Sequence, residues 1–309
     1  MSTSAGPLCH FAHMAMGTVF EIWLAGEDEA YAGQAAQAVF SEVDRLETLF
    51  SRFNPASDIA RVNRLGAGRA LRVGIETYEC LKSAESVRMD TQGAFDVNVR
   101  GMTASRMEKA SKKGMFKKRI SPSPIELVKE SAGFEVRHIR GAGRTVPVGV
   151  DLDLGGIGKG YALDRALAVL ADWQIERVLL HGGTSTAVAL GAAPGAEGEG
   201  RGWPVGVGGT WDFPGMPRSI VLSRRALSGS GTEVKKSHII DPRTGNPASG
   251  HLAAWASHES AAIADALSTA FMVMDTRQIA KFCREHGEVW ALVIRGDGTF
   301  RVFNPDLLA

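Results

Sequence analysis

The sequence predicts an α+β fold, and three observations lead there. Apolar residues make up 44% of the 309 positions, enough to bury a sizeable core. Some segments carry apolar residues at three- and four-residue steps, while others are short runs with strand composition. The two kinds are interleaved without the regular strand-and-crossover alternation that a doubly wound parallel sheet requires.

In chain order, Thr18 to Leu24 reads as a strand. A long amphipathic helix follows from Asp28 to Phe50, with Ala32, Ala36, Val39, Phe40, Val43, Leu46 and Leu49 on its apolar stripe. A shorter helix is expected from Ile75 to Met89, and Phe95 to Val99 opens a loop. Further strands are expected at Thr145 to Val150, Arg177 to Leu180, Ala187 to Leu190, Pro204 to Val207, Ser219 to Leu222 and His238 to Ile240. Helices are expected at Gly160 to Ala171, Glu259 to Met274 and Thr276 to His286. Strands Val289 to Ile294 and Phe300 to Phe303 end the chain. The organisation is that of one domain over 1–309, interrupted by a basic insertion at about 104–124. Lys109, Lys112, Lys113, Lys117, Lys118 and Arg119 make this insertion either a solvated segment or a docking surface for an acidic partner.

Charge and cysteine content exclude several function classes. Lys and Arg number 35 against 34 Asp and Glu, so no global field draws the chain to nucleic acid or to an anionic membrane. Any anionic ligand must be held locally. Cys9, Cys80 and Cys283 have neither the even count of a disulfide framework nor the spacing of a thiolate metal site, and they suit a reducing compartment. The first ten residues show no basic and apolar leader pattern, and no run of about 18 apolar residues occurs. The expectation is therefore a cytoplasmic protein without a transmembrane segment.

Three clusters carry possible chemistry. Asp151-Leu-Asp-Leu-Gly-Gly-Ile-Gly-Lys-Gly-Tyr-Ala-Leu-Asp164 reads as a strand end, a glycine-rich turn and a helix start. Glycines allow close backbone approach to a phosphate, and a helix N-terminus offers free N–H donors. A tight structural turn explains the same residues, and neither the Walker A nor the dinucleotide-binding spacing is met. Asp265 and Thr269 lie four apart on the 259–274 helix, neighbours on one stripe, where two oxygens can face a hard cation such as Mg²⁺. Such a pair also arises by chance. His238 precedes the turn Asp241-Pro-Arg-Thr-Gly245 and is a candidate base or a structural histidine. His251 and His258 have no helical or metal spacing and read as surface residues.

Together these clusters resemble the ApbE family of FAD:protein FMN transferases, over nearly the whole chain and in the family's order. Met16-Gly-Thr18, the segment Phe50 to Asn63, Gly93-Ala-Phe-Asp-Val-Asn-Val99, Asp153 to Asp164, His181-Gly-Gly-Thr-Ser185, His238-Ile-Ile-Asp-Pro-Arg-Thr-Gly245 and Asp265-Ala-Leu-Ser-Thr269 are each similar to a family motif. The chain has Gly229-Ser-Gly231 where the family usually has Thr-Ser-Gly, and Phe53 where it usually has Tyr. The resemblance implies an antiparallel sheet with packed long helices in a tunnelling-fold-like arrangement. It implies FAD bound by Met16, Phe53, Ala94, Phe95, Asp96, Lys159, Arg165, Ser230 and Ile240. It also implies Mg²⁺ held by Asp265, Thr269 and the backbone carbonyl of Ala162, with His238 as base. The implied activity is transfer of FMN from FAD to a Ser or Thr hydroxyl of an acceptor flavoprotein, releasing AMP. The alternatives are hydrolysis of the FAD pyrophosphate to FMN and AMP, or a flavin-binding homologue without catalysis.

Overall fold

The structure is a computed structural model and describes residues 7–102, 123–131, 133–139, 149–195, 202–232 and 239–308. It is an α+β fold built on one large antiparallel sheet, in agreement with the expected class. Strands β1 (Leu8–Ala15) and β2 (Thr18–Ala25) form a hairpin, followed by α1 (Glu29–Phe50) and α2 (Asp58–Asn63). β3 (Ala70–Val73), α3 (Ile75–Asp90), β4 (Ile125–Glu130) and β5 (Gly133–His138) come next, then α4 (Gly158–Asp172). β6 (Val178–Gly182), β7 (Thr186–Leu190), β8 (Trp203–Gly206), β9 (Ser219–Leu222), β10 (Arg225–Gly231) and β11 (His251–His258) follow. The chain ends with α5 (Ala261–Val273), α6 (Thr276–Glu285), β12 (Trp290–Arg295) and β13 (Phe300–Phe303).

Eight strands pair in the order β1-β2-β6-β7-β10-β11-β12-β13, every pair antiparallel. Alternation along the strands gives the sheet two apolar faces. Ile22, Leu180, Val188, Ala226 and Ala254 belong to the main core shared with α1, α4 and α5. Leu179, Ala187, Ala189, Leu227 and Leu292 belong to a second core, closed by the two-stranded ribbon β8–β9 through Trp203, Val205 and Leu222. A separate three-stranded sheet, β3-β5-β4, lies beside α3.

Local chemistry sets the helix boundaries. Asp28 caps α1 by accepting from Ala30 N and Tyr31 N at 3.1 and 3.0 Å. Asp275 and Gln278 form a capping box at α6. The strand expected at His238 to Ile240 does not form as a ladder: Ile240 makes only an isolated bridge to Pro247, and residue 238 is outside the described residues. Most of the strand expected at Thr145 to Val150, and nearly all of the basic insertion, also fall outside them, and the described Gly149 and Val150 form no strand. The expected surface histidines need correction. His251 is 6% exposed and its Nδ1 meets Phe271 O at 2.8 Å, while His258 Nδ1 accepts from Ser260 N at 2.9 Å. Burial lowers both imidazole pKa values. Their spacing carried no periodic signal, because β11 is an inner strand with both neighbours paired. Cys9, Cys80 and Cys283 are free and buried. Among the described residues no helix is long and apolar enough to cross a membrane.

Candidate active site

Residues 151–154 are irregular, where a strand end was expected; the glycine-rich segment then turns over 155–157 and enters α4 at Gly158, without a side-chain cap on Ile157. Asp153 braces the turn from both sides, accepting from Gly155 N at 2.9 Å and from Arg52 Nη1 at 3.1 Å. In the first turn of α4, Gly160 N donates to Asp265 Oδ2 at 3.3 Å. The Lys159 side chain folds back, its Nζ 3.3 Å from Gly155 O and 3.4 Å from Asp265 Oδ2. The Asp265 carboxylate therefore sits at the positive end of the α4 dipole.

Two contacts bring α5, which carries Asp265, so near to α4. A Cβ on Gly160 would lie 2.1 Å from the Ala261 carbonyl oxygen, so the helices meet backbone to backbone and only glycine fits. Asp164, one turn further along α4, receives the start of α5: it accepts from Ser260 Oγ, Ala261 N and Ala262 N at 2.6, 2.7 and 3.0 Å. Those groups are free because the first N–H groups of a helix have no partner within it. Burial raises the Asp164 pKa against the opposing pull of these hydrogen bonds.

Asp265 is 3% exposed, and its second oxygen accepts from Ser228 Oγ at 3.1 Å and Thr186 Oγ1 at 3.4 Å. One turn on, Thr269 Oγ1 lies 3.3 Å from Ser230 Oγ, which is 2.9 Å from Ser268 Oγ. A Cβ on Gly156 would lie 3.1 Å from Thr269 Oγ1 and 3.3 Å from the Phe95 ring, so the glycine turn faces Thr269 directly. The result is one buried carboxylate, a set of hydroxyls, an ammonium and a bare backbone turn at one wall.

That wall belongs to a cavity of about 1630 Å³. Met16, Phe53, Ala94, Phe95, Asp96, Lys159, Ser230, Ile240, Asp265 and Thr269 all line it. Two implied residues do not. Ala162 is fully buried inside α4, and Arg165 turns to Glu42 on α1 with Nε 3.5 Å from Oε1. A helix that begins at Gly158 carries both away from the turn, and Gly156 is the backbone set against Thr269. His238 lies outside the described residues, although Ile239 and Ile240 line the cavity. Sequence reading passed over Arg52, Asp164, Thr186 and Ser228 as site residues. Arg52 and Asp164 stand inside segments already singled out and Ser228 directly precedes one, whereas Thr186 comes in only through its pairing with Ser228 across β7 and β10.

The lining cations are Arg52, Arg100, Lys159 and Arg218, against carboxylates at Glu47, Asp96, Asp153, Asp212 and Asp265. Each of these cations already has a carboxylate: Asp153 at 3.1 Å, Asp151 at 3.8 Å, Asp265 at 3.4 Å and Asp212 at 2.5 Å, respectively. Among the described residues the lining thus offers a pyrophosphate no uncommitted positive charge. Burial pushes the Asp96 carboxyl up to about 6, against the Asn98 N–H that it accepts at 2.7 Å. Among the described residues no three His, Cys, Asp or Glu side chains cluster to hold a metal. Oxygen donors do converge on Asp265, and this hard, anionic set suits Mg²⁺. Lys159 Nζ, on a long 3.4 Å contact, is the cationic group beside Oδ2.

Fold and site define an α+β protein with a large cavity, one wall of which sets a bare glycine turn beside a buried carboxylate. The sequence model of the ApbE family matches residues 16–293. The chain belongs to the ApbE family. An FAD:protein FMN transferase of Klebsiella pneumoniae (strain 342) is 26% identical over 302 residues, covering 92% of this chain and 83% of that one. An FAD:protein FMN transferase of Salmonella typhimurium (strain LT2) is 23% identical over 317 residues, covering 96% and 88%. Among solved structures, the flavin transferase ApbE of Vibrio cholerae superimposes with a TM-score of 0.78 at 20% identity, covering 99% of this chain and 100% of that one. The ApbE protein of Thermotoga maritima gives 0.75 at 24% identity, covering 96% and 97%.

Proposed function

We propose that this protein is an FAD:protein FMN transferase that moves the FMN moiety of FAD to a Ser or Thr hydroxyl of an acceptor flavoprotein. The observation that carries the reading is the convergence of Lys159, Asp265, Thr269 and the bare Gly155-Gly156 turn at one wall of a cavity large enough for a dinucleotide. Lys159 and the turn's backbone would hold the pyrophosphate, while Asp265, Thr269 and the backbone at Gly156 would hold Mg²⁺. When bound there, Mg²⁺ supplies neutralisation of the charge that builds on the departing phosphate. The acceptor hydroxyl attacks the phosphorus on the FMN side and gives its proton to His238 as base. The bond from that phosphorus to the bridging oxygen breaks, and AMP leaves with the electron pair. The protein's part is positioning and electrostatics, with no covalent intermediate of its own.

The test is to incubate the purified chain with FAD, Mg²⁺ and an acceptor flavoprotein domain, following acceptor mass and free nucleotides. A gain of one FMN less water, matched by AMP, is the expected result. FMN and AMP without a mass gain would mark pyrophosphate hydrolysis, and intact FAD would mark a binding protein.

A further inference from the structure

The face of the sheet that meets α5 is apolar along most of its length. Val188 on β7, Ala226 on β10, and Ala254 and Ala256 on β11 belong to the main core, as alternation along each strand predicts. Thr186 and Ser228 lie on the same side, two residues along from Val188 and Ala226, and strand register sets them directly opposite each other. They are 2% and 0% exposed, and their hydroxyls are 3.0 Å apart. Neither residue lines the cavity. An aliphatic side chain would fill either position without burying a polar group, so the two hydroxyls call for a reason.

Both hydroxyls are aimed at one atom. Ser228 Oγ donates to Asp265 Oδ1 at 3.1 Å, and Thr186 Oγ1 lies 3.4 Å from the same oxygen. The other carboxylate oxygen has different neighbours: Oδ2 meets Gly160 N at 3.3 Å and Lys159 Nζ at 3.4 Å, and Lys159, unlike the two hydroxyl residues, is on the cavity wall. The last torsion of an aspartate is broad, so an unrestrained carboxylate turns easily and exchanges its two oxygens. Two donors fixed on adjacent strands hold one oxygen in place against that rotation. Each hydroxyl has a single proton. With the Ser228 proton given to Oδ1, Ser228 Oγ can still accept from Thr186, so Thr186 supports Asp265 either directly or through Ser228.

We propose that Ser228 and Thr186 are positioning residues, which hold Asp265 Oδ1 from behind the cavity wall and so present Oδ2 to a divalent cation in the cavity. The proposal rests on Asp265 being a metal ligand, as argued above. It gives two strands of the sheet a part in cation binding, although neither hydroxyl touches the cation, FAD or the acceptor.

Mn²⁺ accepts the same oxygen ligands as Mg²⁺, and electron paramagnetic resonance reads its free ion. Titrating Mn²⁺ into protein with FAD, against a protein-free FAD control, therefore tests the proposal without an acceptor. Thr186→Val keeps the shape and removes the hydroxyl, whereas Thr186→Ser keeps the hydroxyl. Thr186→Val should weaken Mn²⁺ binding about three- to tenfold, and Thr186→Ser should restore most of it. Ser228→Ala removes the shorter contact and should weaken binding about tenfold or more. Each variant is first checked for a native circular dichroism spectrum, and the Thr186 pair decides the matter if Ser228→Ala does not fold. If Thr186→Val and Ser228→Ala bind Mn²⁺ within about twofold of wild type while Asp265→Asn has lost it, the hydroxyls only satisfy a buried carboxylate and the proposal is overturned. Thr186→Ser as weak as Thr186→Val would also overturn it, because packing and not the hydroxyl would then be responsible. Asp265→Asn that binds as tightly as wild type would overturn the underlying metal reading itself.

Discussion

At the scale of single residues, Asp265 does more than its place in the sequence suggests. It is an acidic side chain on a helix face made otherwise of Ala, Leu and Phe, and it stays buried because Ser228, Thr186, Gly160 N and Lys159 all donate to it. Asp265→Asn keeps the shape and removes the charge. FMN transfer should fall by about 10²-fold or more, with the urea midpoint little changed; wild-type rates in a folded variant would reject the assignment. Thr269→Val removes one oxygen at nearly constant volume and should lose most of the same activity, read in the same assay. Asp96 should show itself through pH. Its carboxyl is held at about 6 against an ordinary 3.8, so between those values the native protein keeps a proton that the unfolded chain has lost. Stability conferred by Asp96 is full below the lower value and is lost as pH rises through the upper one. Unfolding free energies from urea titrations between about pH 4 and 7 should decline in wild type by at most about 3 kcal/mol, and the decline should flatten in Asp96→Asn. The i, i+4 spacing made Asp265 and Thr269 legible in the sequence. Thr186 was not, since only strand register brings it within reach of Asp265.

At the scale of elements, the site depends on how α4 and α5 meet. Gly160→Ala would drive a methyl group into the Ala261 carbonyl, a backbone neighbour that cannot rotate away. The helices must separate, so the variant should lose several degrees of thermal midpoint and nearly all transfer together. Asp164→Ala leaves Ala261 N, Ala262 N and Ser260 Oγ without their acceptor and should cost about 1–3 kcal/mol in denaturant titration. Retained stability in either variant would show that α5 is held by its apolar face alone. The long helices were readable because α1 and α5 carry a strong apolar stripe. β10 and β11 were not, and their composition says why. Arg225-Ala-Leu-Ser-Gly-Ser-Gly231 is rich in Ser and Gly, and the inner strand from His251 to His258 holds three alanines, all poor strand formers. Sandwiching between paired neighbours, along with packing against α5, overrides that preference.

At the scale of the whole molecule, the near-neutral overall charge is matched inside the cavity, where each lining cation of the described residues is committed to a carboxylate. A dianionic pyrophosphate entering that environment requires an added cation. FAD affinity measured after exhaustive chelation should therefore drop at least about tenfold and return when Mg²⁺ is restored; affinity indifferent to chelator would count against a metal at Asp265. The order of the strands has a further consequence, for the kinetics of folding. β2 pairs with β6, Phe20 opposite Gly182 and Leu24 opposite Val178, and the cavity takes Met16 from one end of the chain and Asp265 from the other. Contacts so distant in sequence are slow to close, since loop entropy is lost before they form. On the ribosome, the hairpin of β1 and β2 waits with one edge unpaired until more than half of the chain has emerged. In refolding from urea, recovery of FAD binding should accompany the slowest phase, well after the helical signal has returned.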